Sequence, residues 1–387
     1  MATRNNKRTK GKHSRKKSRK PQFIKNFEKK VKKFKTNTKR KISGWFKRNR
    51  LKLILAGIAL IIILGVVIAH MLEKPSRISE GDYVHADRFD GYTIVNGVDV
   101  SYAQGGDIDW KKLKRAGVDF VFVRCGYRAS ADGKLHPDEF YEQNLKGAHD
   151  AGLLTGAYFF SQALTAKEAA AEAKYLVEIV DGYEIDLPLV MDYETYPGGR
   201  LEKKISSGKL GAAGLYKNAI AFAREVEKNG YDSAVYGNYS FLTHTMPGGE
   251  LSKYTNIWVA QYANSCDFEG TYNFWQCTDS LKVNGISGNV DRNFWYLKTG
   301  ENIATGPLDS DRTPIGDCRI ELKNHNPKYW SGPVKPGVIV SDGGRKLKEG
   351  RDYTVGYVNN SEEGTAQAVV SGIGDYKDKC AISFRIK

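Results

Sequence analysis

Met191-Asp192-Tyr193-Glu194 closes an apolar run, Leu187–Val190. Residues two apart on a strand share a face, so the carboxyls of Asp192 and Glu194 should project together. In barrels and open parallel sheets that strand end is where sites form. Two acids flanking a glycosidic bond are the recurring apparatus of sugar hydrolysis: one protonates the leaving oxygen while a second charge stabilises an oxocarbenium-like transition state. The proton donor must stay protonated near neutral pH, and close like charge in a partly apolar site favours that. Standing alone, a D-x-E triplet more often marks a solvated strand edge or a metal site. Two further acids extend the constellation, Asp99 in VNGVDVSYAQG and Asp291 in GISGNVDRNFW.

The elements that must position these acids alternate. Val95–Val100, Val118–Arg124, Leu153–Phe160, Leu187–Tyr193, Ser233–Tyr236, Ile257–Tyr262 and Phe274–Cys277 read as strands. Asp109–Ala116, Pro137–Ala151, Thr165–Val180 and Ala212–Asn229 read as helices, Thr165 and Glu168 forming a capping-box pattern. Such alternation predicts a mainly parallel sheet or barrel. In a closed barrel the first and last strands are neighbours, so Asp99, at the end of the first, and Asp291, at the end of the last, could join Asp192 and Glu194 at one rim. A glycine-rich dinucleotide turn and a phosphate-binding loop are both absent, which argues against a nucleotide enzyme. His136, His149 and His244 are scattered without zinc-ligand spacing.

VDVSYAQG, VDFVFVRCGYR, GAYFFS, LPLVMDYE, WVAQY, WQ and GNVDRN occur in that order over Gly97 to Asn293. This series resembles glycoside hydrolase family 25, over about half of the chain. The resemblance implies a flattened β/α barrel that hydrolyses the β-1,4 bond between N-acetylmuramic acid and N-acetylglucosamine in peptidoglycan, with no metal or cofactor. It implies Glu194 as general acid and Asp192 as the partner that stabilises positive charge or orients the substrate acetamido group, with Asp99 and Asp291 tuning the charge. Tyr127, Tyr158, Trp258, Tyr262 and Trp275 lie in the matching motifs as candidate platforms for sugar rings, with core packing as the plain alternative for each. The pattern departs at Phe159, where many relatives carry His; this bears on substrate detail at that edge.

The rest of the chain bears on where such a site would act. The net charge is +16, yet 23 Lys and Arg face only Glu28 before residue 53, and the remainder carries −6. A tail so basic and so poor in apolar residues should be disordered. Leu53–Ala69, extendable to Leu51–Leu72, is an uncharged apolar run of bilayer-spanning length; a buried core helix and a cleaved signal peptide are the alternatives. Positive flanks stay in the cytoplasm. The expectation is therefore a single-pass protein of the cell membrane, its catalytic part extracytoplasmic and its tail against anionic lipid, with nucleic acid an unlikely partner. In that oxidising setting Cys266 with Cys277 and Cys318 with Cys380 are plausible disulfides, and Cys125 a buried thiol.

The expected divisions are a tail at 1–50, a membrane helix at 51–72, a stalk at 73–92, the barrel at 93–298, a linker at 299–315 and a small β-sandwich at 316–387. That last segment resembles the immunoglobulin-like modules of bacterial surface proteins, whose usual meaning is spacing or wall contact. The rival to an enzyme is a non-catalytic peptidoglycan-binding scaffold, against which the intact acids argue.

Overall fold

Strands β1 (Thr93–Val100), β2 (Phe120–Arg128), β3 (Leu135–Pro137), β4 (Leu154–Ser161), β5 (Leu189–Tyr193), β6 (Ser233–Asn238), β7 (Asn256–Ala260), β8 (Phe274–Leu281) and β9 (Val290–Leu297) form one sheet in the computed structural model. Its order is β1-β9-β8-β7-β6-β5-β4-β2-β3, and β1 also pairs with β2, so eight strands close into a barrel with β3 as an outer edge. The chain divides into Met1–Lys74 and Pro75–Lys387, and the barrel lies in the second unit. The described residues are 77–79, 81–300, 302–303, 312–330 and 332–387, with a helical stretch at 29–37 and single helical positions at 23, 26, 39, 45, 49, 52 and 61.

Strand periodicity builds the interior. Along β1 the inward positions are Val95, Gly97 and Asp99; along β2, Phe120, Phe122 and Arg124; along β5, Val190 and Asp192. The lower layers are apolar. Phe122 stacks on Trp258 with ring centroids 4.6 Å apart, and Phe274 on Trp295 at 6.0 Å. Glycine makes the room: a Cβ on Gly97 would meet the Phe120 ring at 2.4 Å, and one on Gly156 the Phe122 ring at 2.4 Å. The opposite parity, including Val121, Val123 and Cys125, faces the helical shell. Its long helices, Ala166–Val180 and Ala212–Lys228, pack against each other and present Leu176, Val180, Phe222 and Val226 to the strands. The expected cap holds, Thr165 Oγ1 accepting from Glu168 N at 3.2 Å.

The barrel is not wholly parallel. β9 runs antiparallel to both β1 and β8. Asp291 therefore begins the last strand instead of ending it, and antiparallel pairing still carries it to the rim, as the register partner of Asp99. The helix expected at Pro137–Ala151 spans Tyr141–Asp150, and Pro137 ends the edge strand β3.

Residues 312–330 and 332–387 make a small module of β-strands with one short 3-10 helix, Ile315–Asp317. A sheet containing Tyr353–Val358, Gly364–Gly372 and Lys379–Ile386 and another containing Arg319–Leu322, Val338–Asp342 and Arg345–Lys346 share a core that includes Leu322, Val340, Val370 and Phe384. The module closes the floor of the barrel. Val358, Val369 and Ala381 join the cluster formed by Phe120, Leu154, Leu187 and Leu297. Polar seams flank that contact: Lys114 Nζ donates to Asp119 Oδ1 at 2.6 Å and to the Tyr357 carbonyl at 3.1 Å, and Asn359 N donates to Asp119 Oδ2 at 2.9 Å. Lys379 pairs with Asp232.

Three expectations change. No helix among the described residues is long and apolar enough to cross a membrane, which overturns the single-pass localisation; the 51–72 segment itself lies, but for Lys52 and Ile61, outside the described residues. Within the tail expected to be disordered, residues 29–37 are helical, in keeping with the helix propensity of lysine. Cys266, Cys277, Cys318 and Cys380 are free thiols, not two disulfides. Cys266 sits against the Tyr272 hydroxyl and Cys277 against that of Tyr83. Cys318 and Cys380 fill the module core as small apolar residues.

Candidate active site

Where the inward positions reach the carboxyl ends of the parallel strands, the lining turns from apolar to acidic. Asp99 is buried at the top of β1, and its Oδ2 accepts from Gln276 Nε2 at 2.9 Å and Asn293 Nδ2 at 2.8 Å. Those amides are oriented from behind. Tyr236 and Tyr262 hydroxyls donate to Gln276 Oε1 at 2.9 and 3.1 Å, and Trp258 Nε1 donates to Asn293 Oδ1 at 2.8 Å. Each amide oxygen is thereby occupied, which leaves its NH2 for the carboxylate. Burial still pushes the Asp99 carboxyl up to about 6, against the pull of these donors.

Asp192 is buried on β5, and its Oδ1 has no hydrogen-bond partner among the described residues. Burial first, then the charges of Glu194 and Asp99, push it well above the ordinary carboxylate range, while Arg124 pulls the other way. Glu194 follows β5, and its main-chain carbonyl accepts from Gln162 Nε2 at 3.0 Å. Gln162 is itself held, its Oε1 accepting from Leu201 N at 3.2 Å, so the turn after the strand is braced. Burial and the Asp99 charge push Glu194 up to about 7. Asp291 is pushed up to about 8 by burial and by Asp99 and Asp279, and it donates its proton to Asp99. All four acids thus feel one another. Carboxyls crowded in this way cannot all ionise at neutral pH, so the rim stores protons.

The aromatic candidates separate. Tyr158 borders the acids, whose charges raise its hydroxyl further above the usual tyrosine range after burial. Tyr127 reaches the mouth because a bulge between Arg124 and Gly126 resets its parity, pairing it with Phe160. Tyr262 is 55% exposed on the rim. Trp258, 1% exposed, is lumen core and serves the site through Asn293. Trp275, 0% exposed, faces the outer shell and donates to the Gln261 carbonyl at 2.9 Å, so it is not at the mouth. Phe159 also faces outward, against Tyr175, so the departure at this position lies away from the acids.

Sequence reasoning missed Arg124, Gln162, Tyr236, Gln276 and Asn293. The available signal was parity: each polar residue sits on an inward position of an otherwise apolar strand, or directly after one. Among the described residues no cluster of His, Cys, Asp or Glu is arranged to hold a metal ion.

An eight-stranded β/α barrel with paired acids at the carboxyl end of its strands has the parts that glycoside hydrolysis uses. The model of glycosyl hydrolases family 25 matches residues 98–286. Lysozyme M1 of Streptomyces globisporus is 30% identical over 207 residues, covering 51% of this chain and 67% of that protein. The autolytic lysozyme of Clostridium acetobutylicum is 28% identical over 198 residues, covering 51% and 54%. The modular autolysin LytC of Streptococcus pneumoniae, solved with a synthetic peptidoglycan ligand, is 26% identical with a TM-score of 0.45, covering 52% of this chain and 47% of that one. This chain thus spans two thirds of the first relative and about half of the other two. It belongs to glycosyl hydrolases family 25 and is a glycoside hydrolase.

Proposed function

We propose that the chain hydrolyses the glycan strands of peptidoglycan at the β-1,4 bond between N-acetylmuramic acid and N-acetylglucosamine. The observation that carries the chemistry is Glu194, a carboxyl held at about 7 on the rim of a barrel beside three other acids. A group with that pKa is substantially protonated at neutral pH and still acidic enough to release its proton to a departing oxygen. The lysozyme and autolysin names of the relatives, and the peptidoglycan ligand of LytC, support the choice of substrate.

In this reading Glu194 is the general acid. Asp192 presents its unpartnered Oδ1 to the sugar beside the scissile bond, where it orients the acetamido group or stabilises the developing positive charge. Asp99 and Asp291 share one proton and hold the local potential negative, which keeps Glu194 protonated. Tyr127, Tyr158 and Tyr262 stack against the sugars. Trp258 and Trp275, by their burial, pack behind that surface. The favoured course is acetamido participation with retention, with Asp192 on β5 and Glu194 directly after that strand.

The test is to incubate the purified chain with peptidoglycan and identify the new reducing ends by mass spectrometry. Muramic acid ends are expected. Glucosamine ends would redirect the assignment to a glucosaminidase, and strands bound without any cleavage would favour the scaffold reading.

A further inference from the structure

Beside the acids lies a cleft of about 820 Å³ lined by Tyr102, Arg124, Tyr127, Glu139, Tyr141 and Phe160, among others. It opens directly off the site: Phe160 is the register partner of Asp192 between β4 and β5, and Arg124 is the register partner of Tyr158 between β2 and β4. Arg124 is the group that sets its chemistry. The guanidinium lies 4.7 Å from the Tyr102 ring centre and 5.7 Å from that of Tyr127, so two aromatic faces fix its plane. Its Nε donates to Asp138 Oδ2 at 2.7 Å, and Asp138 is in turn pinned by Tyr102 N at 3.1 Å and Phe140 N at 3.1 Å. Among the described residues no bond is made by its two terminal nitrogens. A fixed guanidinium in the wall of a cleft, its terminal amino groups not engaged by the described residues, is a fork for a carboxylate.

A neutral sugar ring offers that fork only hydroxyl and carbonyl acceptors, whereas a carboxylate engages both amino groups in a charge-assisted pair. On a peptidoglycan strand the carboxylates hang from the lactyl arm of muramic acid, either as the lactyl carboxylate itself or on the peptide attached to it. We propose that the Arg124 cleft is the subsite for this arm, with Arg124 pairing a carboxylate while the acids beside it work on the glycan. Glu139 and Glu142 also line the cleft and favour the peptide as the source, because an amine further along a peptide arm would find a charge partner there. The inference rests on the peptidoglycan reading above and extends it to what makes one muramic acid a better substrate than another.

The experiment measures kcat/KM of the full chain on three substrates: peptide-bearing strands, strands stripped of peptide so that the lactyl carboxylate is free, and stripped strands with that carboxylate capped as the methylamide. Arg124→Met should lower kcat/KM on peptide-bearing strands by about tenfold to a hundredfold more than on capped strands, the range of a charge-assisted hydrogen bond. Arg124→Lys, which keeps the charge but loses the fork, should fall between. A loss on peptide-bearing strands alone assigns the carboxylate to the peptide; a loss on uncapped stripped strands alone assigns it to the lactyl group, whose carboxyl is an amide wherever a peptide is attached; and losses on both, with capped strands spared, show that the fork takes whichever carboxylate the arm presents. Arg124 also biases Asp192, but that effect is common to all three substrates and cancels in their ratios. Equal losses on all three, or no loss on any, would overturn the subsite.

If no strand is cut at all, the hydrolase reading fails, and binding of N-acetylmuramyl-L-alanyl-D-glutamate to the full chain still decides the cleft. Affinity that drops in Arg124→Met supports it, and unchanged affinity overturns it.

Discussion

The two ends of the barrel use the same residue type to opposite effect. At the floor, Asp119 meets Lys114 at 2.6 Å with both side chains buried, and Asp232 meets Lys379. Each carboxylate there has a lysine and holds the C-terminal module against the strands. At the mouth, Asp99, Asp192, Glu194 and Asp291 crowd together, Arg124 countering Asp192 alone of the four, and every one of them is pushed upward. Burial alone does not make an acid functional. At the floor paired burial fixes structure, and at the mouth crowded burial holds protons.

The largest effect should come from the mouth. Glu194→Gln keeps the shape and removes the acid, so reducing-end release should fall by about 10²–10⁴-fold while the thermal midpoint does not drop. A variant with activity within threefold of the parent would remove Glu194 from the mechanism. At the floor the pattern should invert. Lys114→Met leaves Asp119 buried without its partner and should lower stability by about 3–5 kcal/mol in urea unfolding, and Lys114→Met/Asp119→Leu should recover most of it. A loss below about 1 kcal/mol would mean that the module is not held by this pair.

The pH dependence sharpens the contrast. In the proposed mechanism Glu194 must be protonated to act, so kcat/KM should fall about tenfold per unit as pH rises beyond about 7. A rate still flat at pH 9 would contradict this. Asp291 supplies the smallest effect. Its carboxyl is at about 8 here against 3.8 ordinarily, so the stability linked to its proton is complete below 3.8 and lost as pH rises through 8. Asp291→Asn mimics the protonated form and should stabilise the chain by on the order of 1 kcal/mol at pH 9, and not at pH 4, in paired thermal melts.

Much of the barrel was legible because its strands are short apolar runs bounded by turns, and the acids were legible because D-x-E on a strand end is geometrically constrained. The antiparallel strand β9 was not. Its polar start, Val290-Asp291-Arg292-Asn293, conceals an inward face that appears only once β1 and β8 flank it. The amides that hold Asp99 come from strands 177 and 194 residues further along the chain, a distance no local pattern spans. Arg124 was hidden for a related reason: a lone cation in an apolar strand reads as an outward residue until the parity of Phe120 and Phe122 is known. The cysteine pairs misled because they were inferred from an expected compartment; the residues around each thiol, Tyr83 and Tyr272 among them, decided otherwise.

The central claim is that the mouth keeps Glu194 protonated near neutral pH. Carbon-13 NMR of the Glu194 side-chain carboxyl, assigned by its loss in Glu194→Gln and followed from pH 3 to pH 9, reads this directly. A midpoint near 7 is expected; a midpoint near the ordinary 4.5 would show a plain solvated carboxylate and contradict the account.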